Sequence, residues 1–178
     1  MFADLSDAQN SALKSHHDLL LRWNRVVNLT SESSIDRHYG ESLFVGEHLP
    51  AGLMHIVDIG SGAGFPGFPI AVLRPDCLVT LVEAHQRKAV FLMEASRIIP
   101  NIRVVARRAE ELDESFDWAV SRAVSYRDLA KCLKKLARKA ALLTGAEDPP
   151  AELGFVWDAP IPLPGTRQRF LRIGTAAP

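Results

Sequence analysis

Apolar positions recur at three- and four-residue steps through the first part of the chain. Leu5, Ala8, Ala12, Leu13, His16, Leu19, Leu20, Trp23 and Val27 fall on one side of a predicted helix. Ser6 followed by Gln9 is a capping-box start. Lys14, Asp18, Arg22 and Arg25 take the polar face, and Asn24–Asn28 supply the stop. The next stretch, Ser34 to Leu49, predicts a weaker helix with Ile35, Tyr39, Leu43 and Leu49 along one side, closed by Pro50 and Gly52.

From His55 the period changes. His55–Ile59, Leu78–Glu83, Ile102–Ala106, Phe116–Ser121 and Ala140–Thr144 are short, nearly continuous apolar runs, as expected of strands covered on both faces. Between them, Pro66–Leu73, Gln86–Ile99 and Arg127–Lys139 read as helices. The last has Leu129, Leu133 and Leu136 inside and Lys131, Lys134, Lys135 and Arg138 outside. Strands alternating with helices predict an α/β fold, a Rossmann-like doubly wound sheet that is mostly parallel. Residues 145–165 read as a loop with one strand at Gly154–Trp157, and the alternating Gln168–Ile173 as a terminal antiparallel edge strand. The expected organisation is a helical N-terminal extension, 1–50, followed by one compact unit, 51–178.

Composition adds little beyond a globular chain: 47% hydrophobic and 24% charged residues in 178. Charge changes the picture more. The total is zero, but residues 121–178 carry ten Lys/Arg against five Asp/Glu, while residues 1–120 carry eleven against sixteen. A local basic surface for nucleic acid is therefore allowed without being demanded. Cys77 and Cys132 form no CxxC pair and are expected to be reduced. The polar opening MFADLSDAQNSALK does not resemble a secretory signal, and no stretch approaches a membrane span, so a cytoplasmic monomer is expected.

The informative stretch is Val57-Asp-Ile-Gly-Ser-Gly-Ala-Gly-Phe-Pro-Gly67, a buried strand running into four glycines and then a helix. Ligands of such sheets bind beyond the carboxyl ends of the strands, where a side chain would block close approach to the backbone. Gly62-Ala-Gly64-Phe-Pro-Gly67 fits the dinucleotide pattern GxGxxG, while the longer D-x-G-x-G-x-G from Asp58 to Gly64 looks like the first motif of S-adenosylmethionine methyltransferases. A pyrophosphate would meet Asp58 as a like charge, whereas an ammonium and a sulfonium suit an acid. Glu83, 19 residues past Gly64, could accept both ribose hydroxyls of either cofactor. An oxidoreductase using NAD thus stays open as an alternative, as does a non-enzymatic RNA-binding module.

The chain also resembles the GidB/RsmG family of bacterial small-subunit (16S) ribosomal RNA guanine-N7 methyltransferases. Trp23-Asn24 with Asn28-Leu-Thr30, Arg37-His38 with Glu41-Ser42-Leu43, and the Asp58–Gly67 loop carry the resemblance. Glu83 with Arg87-Lys88 and Phe91-Leu92, then Ala109-Glu110-Glu111 and Ser121-Arg122-Ala123, extend it. The resemblance implies a class I S-adenosylmethionine-dependent methyltransferase whose partner is small-subunit ribosomal RNA or the ribosomal subunit. It implies that Gly60 and Phe65 line the cofactor site, that Ala109 and Glu110 meet the adenine end, and that Arg122 sits at the edge of cofactor and substrate. Asp58, Gly62, Gly64 and Glu83 complete the expected cofactor set, and Arg122 is the expected catalytic residue. The chain has Thr144 and Gln168 where the family commonly has Lys and His.

Other candidates carry less. His16 and His17 read as surface or half-buried residues, and Trp23 as helix core. No spacing suggests a metal, and no Gly-x-Ser-x-Gly elbow exists. Lys131, Lys134, Lys135 and Arg138 are expected to form a stripe that touches RNA phosphates without sequence preference.

Overall fold

A computed structural model describes residues 5–178; residues 1–4 of the polar opening stretch lie outside the described residues. Helix α1, Asp7–Asn24, starts with the expected box: the Gln9 N–H donates to Ser6 Oγ at 3.3 Å and the Ser6 N–H donates to Gln9 Oε1 at 2.9 Å. It ends where Asn24 Oδ1 accepts the N–H groups of Leu29 and Thr30 at 2.9 and 3.1 Å, closing the turn into α2, Ile35–His48. The Trp-Asn and Asn-Leu-Thr residues of the sequence pattern are therefore one hydrogen-bonded turn. No described helix is long and apolar enough to cross a membrane.

The remaining elements are β1 (His55–Ile59), α3 (Gly67–Leu73), β2 (Leu78–Val82), α4 (Gln86–Ala95), β3 (Ile102–Val105) and β4 (Phe116–Arg122). Then follow α5 (Tyr126–Leu129), α6 (Leu133–Leu136), β5 (Ala137–Thr144), β6 (Phe155–Trp157), β7 (Ile161–Pro162) and β8 (Phe170–Ala176). The sheet order is β3-β2-β1-β4-β5-β8-β6, with β7 also against β8. The first five strands are parallel and β8 runs antiparallel to β5. Order reverses between β1 and β4, and a crevice opens there at the carboxyl ends.

Successive residues of β1 enter opposite cores. Ile56 packs with α1–α4 on one face, while Val57 and Ile59 pack with α5 and α6 on the other. Alternating sides of a strand buried twice over explain the unbroken apolar run. Residues of α1 and α2 share the first core with the sheet, among them Leu20 and Val45, both fully buried.

Three elements differ from expectation. The helix expected over Arg127–Lys139 is two separate turns followed by a strand that begins at Ala137. Cys132, at φ −138, interrupts the helix, and Ala137 and Lys139 are drawn into register with Phe116 and Trp118 of β4. The Leu129, Leu133, Leu136 spacing survives because α5 buries Leu129 and α6 buries Leu133 and Leu136. Helix α4 stops at Ala95 rather than Ile99, because the N–H groups of Arg97 and Ile98 turn back three residues to Glu94 and Ala95. The terminal strand is antiparallel as expected but is not an edge. It pairs with β5 on one side and with β6 and β7 on the other.

Candidate active site

The chain leaves β1 through a turn that only particular residues permit. The Gly60 and Ser61 N–H groups both donate to the Val82 carbonyl, at 2.9 and 3.0 Å, which folds the loop over the end of β2. Gly60 has φ +71, and a Cβ there would lie 2.5 Å from Val124 Cγ2. At Gly67, the first residue of α3, a Cβ would lie 2.4 Å from Leu81 Cδ2 and 2.7 Å from Asp58 Oδ2. Asp58 Oδ2 instead accepts the Gly67 N–H at 2.9 Å. Asp58 is fully buried, and burial raises its pKa to about 7 against the opposing pull of that hydrogen bond. The carboxyl thus ties the strand to the helix beneath the loop and does not line the crevice.

On the other side of the loop, Glu83 follows β2 directly. Its Oε2 accepts the Gly62 N–H at 2.9 Å and its Oε1 accepts the His85 N–H at 2.8 Å. Each oxygen keeps a free lone-pair direction. Glu83 and Gly60 face Ala109 and Glu110, on a short 3-10 turn after β3, across a cleft of ≈ 170 Å³. Val124 and Cys132 close its inner wall. Four of the expected cofactor residues, Gly60, Glu83, Ala109 and Glu110, therefore line one cleft, with Gly62 bound to Glu83 at its rim. The set fits an adenosylated amino acid: a carboxylate for vicinal hydroxyls, side-chain-free backbone at the loop, and a short turn for a flat ring.

The other expected residues lie on the opposite side of the loop, under α1 and α2. Phe65 is buried against His38 and Tyr39. Gly64 abuts His16, whose ring stacks on Phe68 with centroids 4.1 Å apart. His16 is not at the surface: it is completely buried and hydrogen-bonds the Tyr39 hydroxyl through Nδ1. Burial holds its pKa down at about 3, so it is a neutral support for the glycine loop. Its place in the apolar periodicity of α1 was the signal for this role.

Arg122 ends β4 but turns toward α2. Its Nε lies 3.6 Å from Oε2 of Glu41, a carboxylate only 2% exposed. Burial and the neighbouring Arg169 bring the Arg122 pKa down to about 10, while Glu41 opposes the shift. In the sequence Glu41 stands only as part of the Glu41-Ser42-Leu43 motif. A single acid on a helix usually reads as solvated, and nothing local reveals its arginine partners.

The expected lysine stripe is not carried by one helix, because Lys131 precedes α6, Lys135 lies on it and Arg138 falls on β5. Lys131 is paired with Asp128 at 2.6 Å and Lys135 with Asp113 at 2.9 Å. Arg138 lies on β5, at the amino end of the sheet and away from the cleft. The cause is the same break at Cys132 that ends the helix.

Solved structures of low sequence identity share this architecture. A SAM-dependent methyltransferase from Aquifex aeolicus superposes with a TM-score of 0.64 at 12% identity, covering 87% of this chain and 98% of its own. Fibrillarin from Aeropyrum pernix, solved with natively bound S-adenosyl-L-methionine, gives 0.61 at 14% identity over 77% of this chain and 76% of its own. The fold is thus that of the class I S-adenosylmethionine-dependent methyltransferases. Within that class, residues 9–144 match the profile of GidB, described as rRNA small subunit methyltransferase G, and the chain belongs to that family. Two similar relatives, both named ribosomal RNA small subunit methyltransferase G, come from Nitrosomonas europaea and Halorhodospira halophila. The first is 46% identical over 65% of this chain and 56% of its own, the second 43% over 66% and 58%. The match spans less than two thirds of the length of either relative.

Proposed function

We propose that the protein transfers a methyl group from S-adenosylmethionine to N7 of a guanine in small-subunit (16S) ribosomal RNA. The observation that carries this reading is the cleft between the glycine loop and Glu83, in a chain of this family. Glu83 binds two ribose hydroxyls while retaining the Gly62 and His85 N–H groups, so one carboxylate both shapes the loop and grips the sugar. Ala109 and Glu110 flank the adenine. Gly60 keeps the backbone open where the amino-acid end lies. When bound, the cofactor supplies an electrophilic methyl on a sulfonium.

Guanine N7 carries an in-plane lone pair and no proton, so no protein base has to act before attack. The carboxylates that line the cleft, Glu83, Glu110 and Asp128, therefore have no proton to take from the acceptor nitrogen. The chain contributes alignment, holding the acceptor base about 3 Å from the methyl and in line with the bond that breaks. The positive charge that develops on the guanine needs no cation beside it; Arg107 and Arg108 line the cleft with Ala109 and Glu110, and Arg37, Arg122 and Arg169 stand around Glu41.

Calorimetric titration tests the cofactor half of the reading. S-adenosylmethionine is expected to bind one site per chain, and NAD not to compete. Binding of NAD in its place would overturn the assignment in favour of the dinucleotide pattern that the same glycines satisfy.

A further inference from the structure

The group of arginines facing α2 has no part in the cleft. Glu41 forms its floor. Its Oε1 lies 2.9 Å from Arg169 Nη1 and 4.0 Å from Arg37 Nε, and its Oε2 lies 3.6 Å from Arg122 Nε. The Arg122 and Arg37 approaches are longer than a hydrogen bond and the Arg169 approach lacks its angles, so among the described residues both Glu41 oxygens and Arg122 Nε are buried without a hydrogen-bond partner. Three guanidiniums therefore surround one carboxylate, with the buried Asp58 near Arg122 as the further acid, and positive charge stays in excess. Unsatisfied charged groups of this kind are costly unless a further ligand completes them.

Two observations point to an anion that enters from solvent. Exposure rises from the floor outward: 2% for Glu41, 15% for Arg122, 24% for Arg169 and 53% for Arg37. The surplus field is also felt nearby. The buried His38, which meets Thr30 Oγ1 at 3.0 Å, is held neutral with a pKa of about 3 by burial and then by Arg122, Arg37 and Arg169. The mouth of the group opens at the edge of the sheet that also carries the cleft. Arg122 directly follows Ser121, which pairs with Ile59, the residue before Gly60. Planar guanidinium forks match the paired oxygens of a phosphate better than any other common anion in RNA.

We propose that Arg37, Arg122 and Arg169, held together by Glu41, form a seat for one backbone phosphodiester of the RNA, beside the nucleotide that enters the cleft. Glu41 is a positioning residue: it keeps three mutually repelling guanidiniums within reach of one phosphate. The proposal rests on the RNA reading above. The cofactor's own carboxylate is the other anion available, but Arg122 turns to α2 rather than lining the cleft.

The test compares wild type with Arg37→Ala, Arg169→Ala, Arg169→Lys and Glu41→Gln. RNA affinity is measured over a range of salt with transcribed small-subunit ribosomal RNA, and S-adenosylmethionine affinity by calorimetry. Each alanine variant is expected to bind RNA about tenfold more weakly, with the slope of log K against log salt reduced by ~0.7–0.9. Both should keep wild-type cofactor affinity and, at saturating RNA, wild-type kcat. Arg169→Lys should keep the salt slope yet lose affinity, because it keeps the charge without the fork. Glu41→Gln adds net positive charge, so an unorganised basic surface would bind RNA more tightly, whereas the seat requires a raised RNA KM. Unchanged affinity and slope in both alanine variants would overturn the seat. An equal loss of cofactor affinity would also overturn it, assigning the anion to the cofactor carboxylate. A wild-type chain that binds S-adenosylmethionine but no RNA would overturn the RNA reading itself, and the seat with it.

Discussion

Replacing Glu83 by Gln separates the two tasks of this carboxylate. In the wild type, both oxygens accept backbone N–H groups, Gly62 at 2.9 Å and His85 at 2.8 Å, on a side chain that is 9% exposed. A glutamine of the same shape has one oxygen and one NH2. It can satisfy only one of the two N–H groups, and its own donors then face the other. Both N–H groups are only partly buried, so the one left without its acceptor costs no more than about 1 kcal/mol, and a thermal or urea melt is expected to show a small stability loss. Cofactor binding loses more. Two hydrogen bonds from ribose hydroxyls to a charged acceptor amount to roughly 2–4 kcal/mol, which is about 30- to 1,000-fold in Kd. Calorimetry on folded variant at a temperature well below its melting point reads this directly. Glu83→Ala should fall in the same range or below it. A glutamine variant that melts like wild type and binds S-adenosylmethionine within twofold of it would refute both roles.

Two further outcomes follow from buried groups away from the cleft. The His16 pKa of about 3 lies below its unfolded value of 6.5, so the unfolded chain takes up the proton first; this stability is full above pH 6.5 and drains as pH falls toward 3. Between pH 7 and pH 5, wild type should lose about 2 kcal/mol relative to His16→Phe in urea melts, and parallel curves would contradict a buried neutral imidazole. The raised pKa of Asp58 acts in the opposite sense in both proteins and cancels in that difference. Gly174 pairs with both Ala140 and Trp157, and a Cβ there would lie 2.5 Å from the Trp157 ring. Gly174→Ala should therefore cost about 1–3 kcal/mol in thermal melts, and an unchanged melting temperature would contradict the interior position of β8.

The parts of the fold legible in the sequence are those fixed by local chemistry. The Ser6–Gln9 box set the start of α1, and the unbroken apolar runs marked strands covered twice. Four glycines beside a buried strand marked the loop, and at two of them, Gly60 and Gly67, only the lack of a side chain allows the approach of Val124 and Leu81. Glu83 was placed by its spacing from that loop, Ala109 and Glu110 only by the family resemblance, and the cleft gathers all three. What stayed hidden depends on partners distant in the chain. The start of β5 is decided by register with Phe116, and the inner position of β8 by β6 and β7. Glu41 and His16 acquire their roles only when α1 and α2 fold onto the loop. The single helix expected to carry the lysine stripe is hidden for a related reason: its period was real, but a break at Cys132 let both turns keep their leucines, while Lys131 and Lys135 pair with Asp128 and Asp113.

The central claim is methyl transfer to a guanine ring nitrogen, and the product identifies it most directly. Small-subunit ribosomal RNA incubated with the protein and isotopically labelled S-adenosylmethionine at a concentration near the wild-type Kd, then digested to nucleosides and resolved by mass spectrometry, is predicted to yield labelled 7-methylguanosine in wild type and at least tenfold less in Glu83→Ala. Label on an exocyclic amine or a ribose hydroxyl, where a proton must be removed, would contradict the account, as would unlabelled RNA from a wild-type protein that binds the cofactor.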